Sequence, residues 1–246
     1  MTNEPSERKP IEEQIDQVFN EDSEWQDLGI YFFSDVFPDF MEFEGQMKAL
    51  GAWFLHLQRS LEDFLEAEKA IFVRNTTPPT AEEVEDYPDD FFWDEAAQHD
   101  GASDDLAYST EYGPRFAFGS IGVAAFAALE TLMAELTETY ASDVAFTRFT
   151  GGRGAPTIER YRLYLEREVG WNMDWGGAER QEFELLQTLR NRFAHSLGDG
   201  LSADTSAHVT QFLETRDDPY NVDLAHETLK TVGAFAEMLQ RCLGEQ

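Results

Sequence analysis

Arg190-Asn191-Arg192-Phe193-Ala194-His195 combines residue types that can do acid–base and phosphate chemistry within six positions. Histidine titrates near neutrality and suits proton transfer to or from a hydroxyl. Arginine offers a planar, permanently charged fork suited to a phosphate or to the charge that develops on a phosphorane. RNA carries its own nucleophile, the 2′-hydroxyl. A base to deprotonate that group and a cation to stabilise the phosphorane make up a cleavage site in which no metal is required.

On a helical wheel of about 100° per residue, Leu185, Leu186, Leu189, Phe193 and Leu197 gather on one side as a core stripe. Glu184, Thr188, Asn191 and His195 gather on the other. Asn191 and His195 are i,i+4 neighbours. Arg190 lies at the flank, with a stem long enough to bring its guanidinium round toward the imidazole. His195 therefore points away from its own core. A simpler origin for the same residues exists. Arg190, Arg192 and His195 precede Ser196-Leu197-Gly198-Asp199-Gly200, a glycine-rich helix end, where the helix dipole favours cations by about 0.3–1 kcal/mol each.

The hexapeptide reads R-N-x-x-x-H, and in this it resembles the HEPN family, many of whose members are metal-independent endoribonucleases. The resemblance rests on Arg190, Asn191 and His195 near the end of the third of four helices and covers about half of the chain. It implies an antiparallel four-helix bundle over about 115–243. It also implies a homodimer in which two such motifs face each other across one cleft. His195 is then the general base or acid, Arg190 the phosphate and transition-state clamp, and Asn191 the residue that orients them. The implied role is a toxin or defence ribonuclease acting on RNA, with an antitoxin or defence protein as a partner. In the family's toxins silenced by nucleotidylation, a tyrosine lies two positions after the histidine; this chain has Leu197, which puts that form of control in doubt. A non-catalytic helical module that binds a protein or nucleotide is the alternative, and a scaffold with a chance hexapeptide is a third.

Three further residues are candidate supports. Glu130 lies within the apolar run Ala127-Ala128-Leu129-Glu130-Thr131-Leu132-Met133. A carboxylate there is costly unless paired, so it is expected to face Arg190 or another cation, or else to sit solvated at the polar edge. Arg192 lies inside the motif. Arg153, in Gly151-Gly152-Arg153-Gly154, could touch an RNA backbone, although that stretch lacks the Lys-Ser/Thr ending of a phosphate-binding loop and reads as a turn. His56, His99, His208 and His226 show no metal-ligand spacing, so neither metal nor cofactor is expected. Trp171–Trp175 reads as a packed loop.

Charge opposes the nucleic-acid reading. Asp and Glu number 49 against 18 Lys and Arg, a formal net charge of -31. Phosphate contacts ordinarily come from basic surfaces. Few lysines and a dense carboxylate surface suit a protein working in molar salt, where the Debye length falls to roughly 3 Å, and a halophilic source is expected on that ground. Cys242 is the single cysteine, so no intrachain disulfide can form. The first 25 residues read as polar and charged, with no apolar signal region, and the expectation is that no run of about 18 apolar residues exists for a membrane span. The expected location is the cytoplasm.

These features require positioning elements, and the chain reads as all-α. Residues 1–13 read as a disordered tail, and 14–74 as a helical region with short helices interrupted at Pro38. Within it a long amphipathic helix over 43–73 carries Met47, Leu50, Phe54, Leu57, Leu61, Phe64 and Leu65 at three- and four-residue steps. Residues 75–112 read as an acidic linker or loop that begins at Asn75-Thr76-Thr77-Pro78-Pro79 and packs through its aromatics. Residues 113–246 form the expected HEPN-like domain, with helices over about 116–141, 156–170, 177–197 and 222–243.

Overall fold

Pro38 opens a short 3-10 turn, Pro38–Phe40, that leads directly into helix α1, Met41–Thr76. The computed structural model describes residues 28, 30, 37–78, 95–141, 143–151, 156–173, 175–196 and 220–244. In α1 the buried residues are Phe43, Met47, Gly51 and Phe54; farther along, Phe64, Ile71 and Val73 are exposed. The helix therefore buries residues in the core by its first half, while its second half packs against the helical stretch 95–113 with its rings partly open, Phe72 meeting His99 and Phe64 lying beside Gly113.

Helix α2, Glu95–Ala107, continues without a break through a wider π turn, Tyr108–Tyr112, into helix α3, Gly113–Thr139. Residues 95–112, expected within an acidic linker, are thus helical; residues 79–94 lie outside the described residues. Pro114 explains the π turn. It has no N–H to offer the preceding turn, and its ring crowds the carbonyl four residues back. A wider turn absorbs that conflict without ending the helix.

Helix α3 is the centre of the molecule, touching α1, the following helix α4 (Thr157–Tyr164), α5 (Gly177–Ser196) and α6 (Val222–Gly244). Its Phe118, Ile121, Ala125, Phe126, Leu129, Leu132, Met133 and Leu136 are buried. Apolar residues on several sides are what a helix surrounded by others requires. By length and composition the helical stretch His99–Thr139 is also apolar enough to cross a membrane, with a window of mean hydropathy 1.7 that is half buried inside the fold. This corrects the expectation that no such segment exists. Glu130 interrupts the apolar sequence, and the Ser120 and Thr131 hydroxyls donate to the carbonyls of Phe116 and Ala127.

Helix α4 widens into a π turn, Leu165–Val169, and stops at Gly170, whose φ of 86° a side chain would disfavour. The loop that follows is packed, as expected. Trp171 is buried against Tyr140, and Trp175 meets Phe183 and Phe235 edge-on. Helices α5 and α6 are antiparallel: Phe193 meets Tyr220 at one end and Phe183 stacks on Phe235 at the other. Helices α1 and α3 are antiparallel too, with Phe64 beside Gly113 and Leu50 and Trp53 beside Ala124 and Ala128. The described residues contain helices and turns and no strand, so the chain is all-α.

Candidate functional site

The stripe Leu185, Leu186, Leu189 and Phe193 is buried, which anchors α5 against the core. Leu197 lies outside the described residues. On the other side of the helix Glu184 and His195 are exposed, and Thr188 and Asn191 are half-buried. The helix ends at Ser196, so His195 stands in its last turn.

Tertiary packing decides where Arg190 points. Its Nη1 donates to Asn191 Oδ1 at 2.8 Å and stands 3.5 Å from Glu130 Oε1 on α3. Arg190 and Glu130 keep only 19% and 28% of their side-chain surface, so this ion pair is largely shielded from water. Glu130 thus has the cationic partner that its apolar surroundings demanded. The Nε of Arg190 is buried and has no acceptor. On its other flank Glu130 influences Tyr161 of α4. Burial raises the Tyr161 phenol above its ordinary value, the Glu130 carboxylate adds to that, and Arg160 opposes it. Glu130 therefore sits where α3, α4 and α5 meet.

Phe193 sets how closely α5 approaches α3. A Cβ placed on Gly119 would come within 2.6 Å of three of its ring atoms. The missing side chain is a notch, and the ring fills it. Phe116 meets Phe193 edge to face at 5.9 Å. Tyr220, itself buried, lies against Phe193 and donates its hydroxyl to the Leu189 carbonyl at 3.2 Å. The guanidinium of Arg115 covers the Tyr220 ring at 5.4 Å.

The structure therefore brings Arg190, Asn191 and Glu130 together and places His195 one turn beyond Asn191, facing outward. No hydrogen bond or ion pair joins His195 to another described residue. Arg192 is half-buried beside Phe193. Arg153 lies outside the described residues. Of the other histidines, His226 stacks on Phe54 and His99 lies edge-on to Phe72, both packing roles; His208 lies outside the described residues.

Sequence reasoning missed Arg115, Phe116 and Tyr220, which pack around Phe193, and the exposed Tyr108 and Tyr112 on the same long helix. Their spacing was a usable signal, because 108, 112, 115, 116 and 119 fall within one side of a wheel. Reading 108–112 as linker concealed it.

No match to this chain was found among models of protein families, among curated proteins or among solved structures.

Proposed function

We propose that the chain is a metal-independent endoribonuclease of HEPN type, working as a homodimer in a toxin or defence role. The observation that carries this reading is the outward imidazole of His195, one turn beyond an arginine that Asn191 and Glu130 hold in place. The order of α3, α4, α5 and α6, with the motif closing the third helix, also supports it.

In the proposed reaction His195 takes the proton of a 2′-hydroxyl. That oxygen attacks the adjacent phosphorus, and the 5′-oxygen leaves with a proton from a second acid. The products are a 2′,3′-cyclic phosphate and a free 5′-hydroxyl. The guanidinium of Arg190 stabilises the charge on the pentacovalent phosphorus. An acid and a base are both needed, and each chain brings one histidine to this place. A second copy facing the first supplies the other. RNA is the substrate, and an antitoxin or defence protein is the expected regulator.

The test is cleavage of single-stranded RNA by the purified chain in the presence of a chelator, across low and molar salt. His195→Ala is expected to lose ~10²-fold or more of the rate, as for a removed acid–base group. Arg190→Ala is expected to lose a comparable factor through lost charge stabilisation. Equal cleavage by wild type and His195→Ala, or none by either across salt conditions, would reject the reading. A non-catalytic module is the second reading. The Arg190–Glu130 ion pair favours it, because a purely structural arginine makes such a contact.

A further inference from the structure

Two apolar cavities lie on the outward side of the seam between α1 and α3. One, of about 310 Å³, is walled by Leu57, Leu61 and Phe64 of α1 and by Gly113, Pro114 and Ala117 of α3. The other, of about 530 Å³, is walled by Leu50 and Trp53 of α1 and by Ala124, Ala127 and Thr131 of α3. The α1 wall runs from Phe64 down to Gln46 as the α3 wall runs from Gly113 up to Thr131, the order that antiparallel helices require. On α1 the wall residues fall within about 120° of the wheel, so both cavities open on the same side. They are consecutive stretches of one groove, about 27 Å long at 1.5 Å per residue.

None of the residues that line either cavity is charged, in a chain of net charge -31. Glu44, Glu62, Asp63 and Glu66 of α1 lie about 100° or more round the wheel from the middle of the groove. Glu42 and Glu135 stand at one end of it and Glu68 at the other. Glu130, on the far flank of α3, is engaged with Arg190. The two walls differ in height. Trp53, 44% exposed, and Phe64, 40% exposed, stand out on the α1 side, whereas Gly113, Ala117, Ala124 and Ala127 leave the α3 side low.

A face with ridges along one edge and hollows along the other can fit itself. A two-fold axis running along the groove sets α1 of each copy over α3 of the other, at the same height. Trp53 of each copy then meets the hollow at Ala124 and Ala127 of the other, and Phe64 meets the hollow at Gly113 and Ala117. Charge favours the same occupant. Facing like charges oppose contact between copies of so acidic a chain, and this groove brings no carboxylates face to face along its length. Two helices of about 10 Å diameter side by side make a footprint of roughly 27 Å by 20 Å. That is about 500 Å² per copy and about 1,000 Å² across the pair, the size at which an interface becomes specific.

We infer that this groove is a self-association face, taken by the same face of a second copy about a two-fold axis. Helix α5 meets α3 at Gly119, Phe126 and Glu130, more than 90° round the helix from the groove. The face is therefore separate from the cleft in which two motifs meet in the ribonuclease reading, and the inference goes beyond that reading.

Sedimentation equilibrium of the full-length chain in molar salt, where repulsion between copies is screened, tests it. Ala127→Glu puts a carboxylate at an exposed position of the groove and is expected to halve the mass of the assembly, from four copies to two or from two to one. Trp53→Ala is expected to weaken association about tenfold or more, as for loss of an aromatic anchor. Ala178→Glu, the same change at an exposed position on α5, is expected to leave the mass unaltered, and circular dichroism checks that each variant is folded. A monomeric wild type overturns the inference. So does a mass that Ala127→Glu and Trp53→Ala leave unchanged, or one that Ala178→Glu lowers equally. Flotation of a monomeric wild type with phosphatidylcholine vesicles, lost in Trp53→Ala, assigns the groove to a lipid surface instead. RNA cleavage by wild type in any of these cases leaves the ribonuclease site intact. A fall from two copies to one on Ala127→Glu upholds the face and removes the cleft pairing of that reading.

Discussion

Arg190 meets several demands at once. Its Nη1 donates to Asn191 and faces Glu130, while its Nε is buried without an acceptor. An unsatisfied buried donor costs about 1–3 kcal/mol, a cost set against the ion pair with Glu130. A double-mutant cycle on Glu130→Gln and Arg190→Met, followed by thermal or chemical unfolding, is expected to show a favourable coupling of about 1 kcal/mol. A coupling of zero would mean that the pair does not hold the arginine. In the cleavage assay Glu130→Gln is expected to reduce the rate less than Arg190→Ala, because it loosens the fork without removing it.

At the scale of elements, the junction of α3 with α5 depends on the notch at Gly119. Gly119→Ala drives a methyl into the Phe193 ring, and overpacking of this kind costs about 1–3 kcal/mol. Unfolding midpoints in denaturant measure it. Adding Phe193→Leu should recover part of the loss, and no recovery would show that the ring is not the obstacle. Helix α4 depends on charge instead. Arg162, 8% exposed, forms a two-point pair with Glu159 at 2.7 Å and also pairs with Glu166. Burial raises the Glu159 carboxyl, but its hydrogen bonds and attraction to Arg162, with help from Arg180 and Arg167, outweigh that and leave it below its ordinary value. A depressed carboxyl stabilises the fold fully above its unfolded pKa and loses that stabilisation as pH falls through the lower folded value. Arg162→Leu is expected to cost about 2 kcal/mol at neutral pH. The gap from wild type should narrow as the solution is acidified through the carboxylate range. A gap independent of pH would assign the loss to packing of the arginine stem.

For the whole molecule, the net charge of -31 makes self-repulsion a term in stability. Raising salt from about 0.1 M to about 1 M shortens the Debye length from about 10 Å to about 3 Å. The melting temperature is therefore expected to rise with sodium chloride over that range; a flat or falling curve would remove the electrostatic basis for expecting a high-salt habitat. The same screening weakens repulsion between this surface and RNA phosphates, so the salt that stabilises the chain also admits its proposed substrate.

Local sequence determined the all-α class, the helices later seen as α3 to α6, and the division of α5 into a buried stripe and an outward His195. Each follows from a 3.6-residue period, which places side chains relative to their own helix alone. The helical state of 95–112 was not legible, because its acidic composition after the Asn75-Thr76-Thr77-Pro78-Pro79 break read as a linker, whereas the structure runs it as continuous helix through a π turn. The pairing of Glu130 with Arg190 was one of two options in the sequence, since a carboxylate's need for a cation does not say which one it meets. The notch at Gly119 had no sequence signal, and the spacing of the aromatic residues at 108, 112 and 116 was hidden by reading 108–112 as linker. Those features depend on which helix lies beside which and where one of them stops. Contacts between residues sixty or more apart in sequence settle that, and no period along a single helix encodes it.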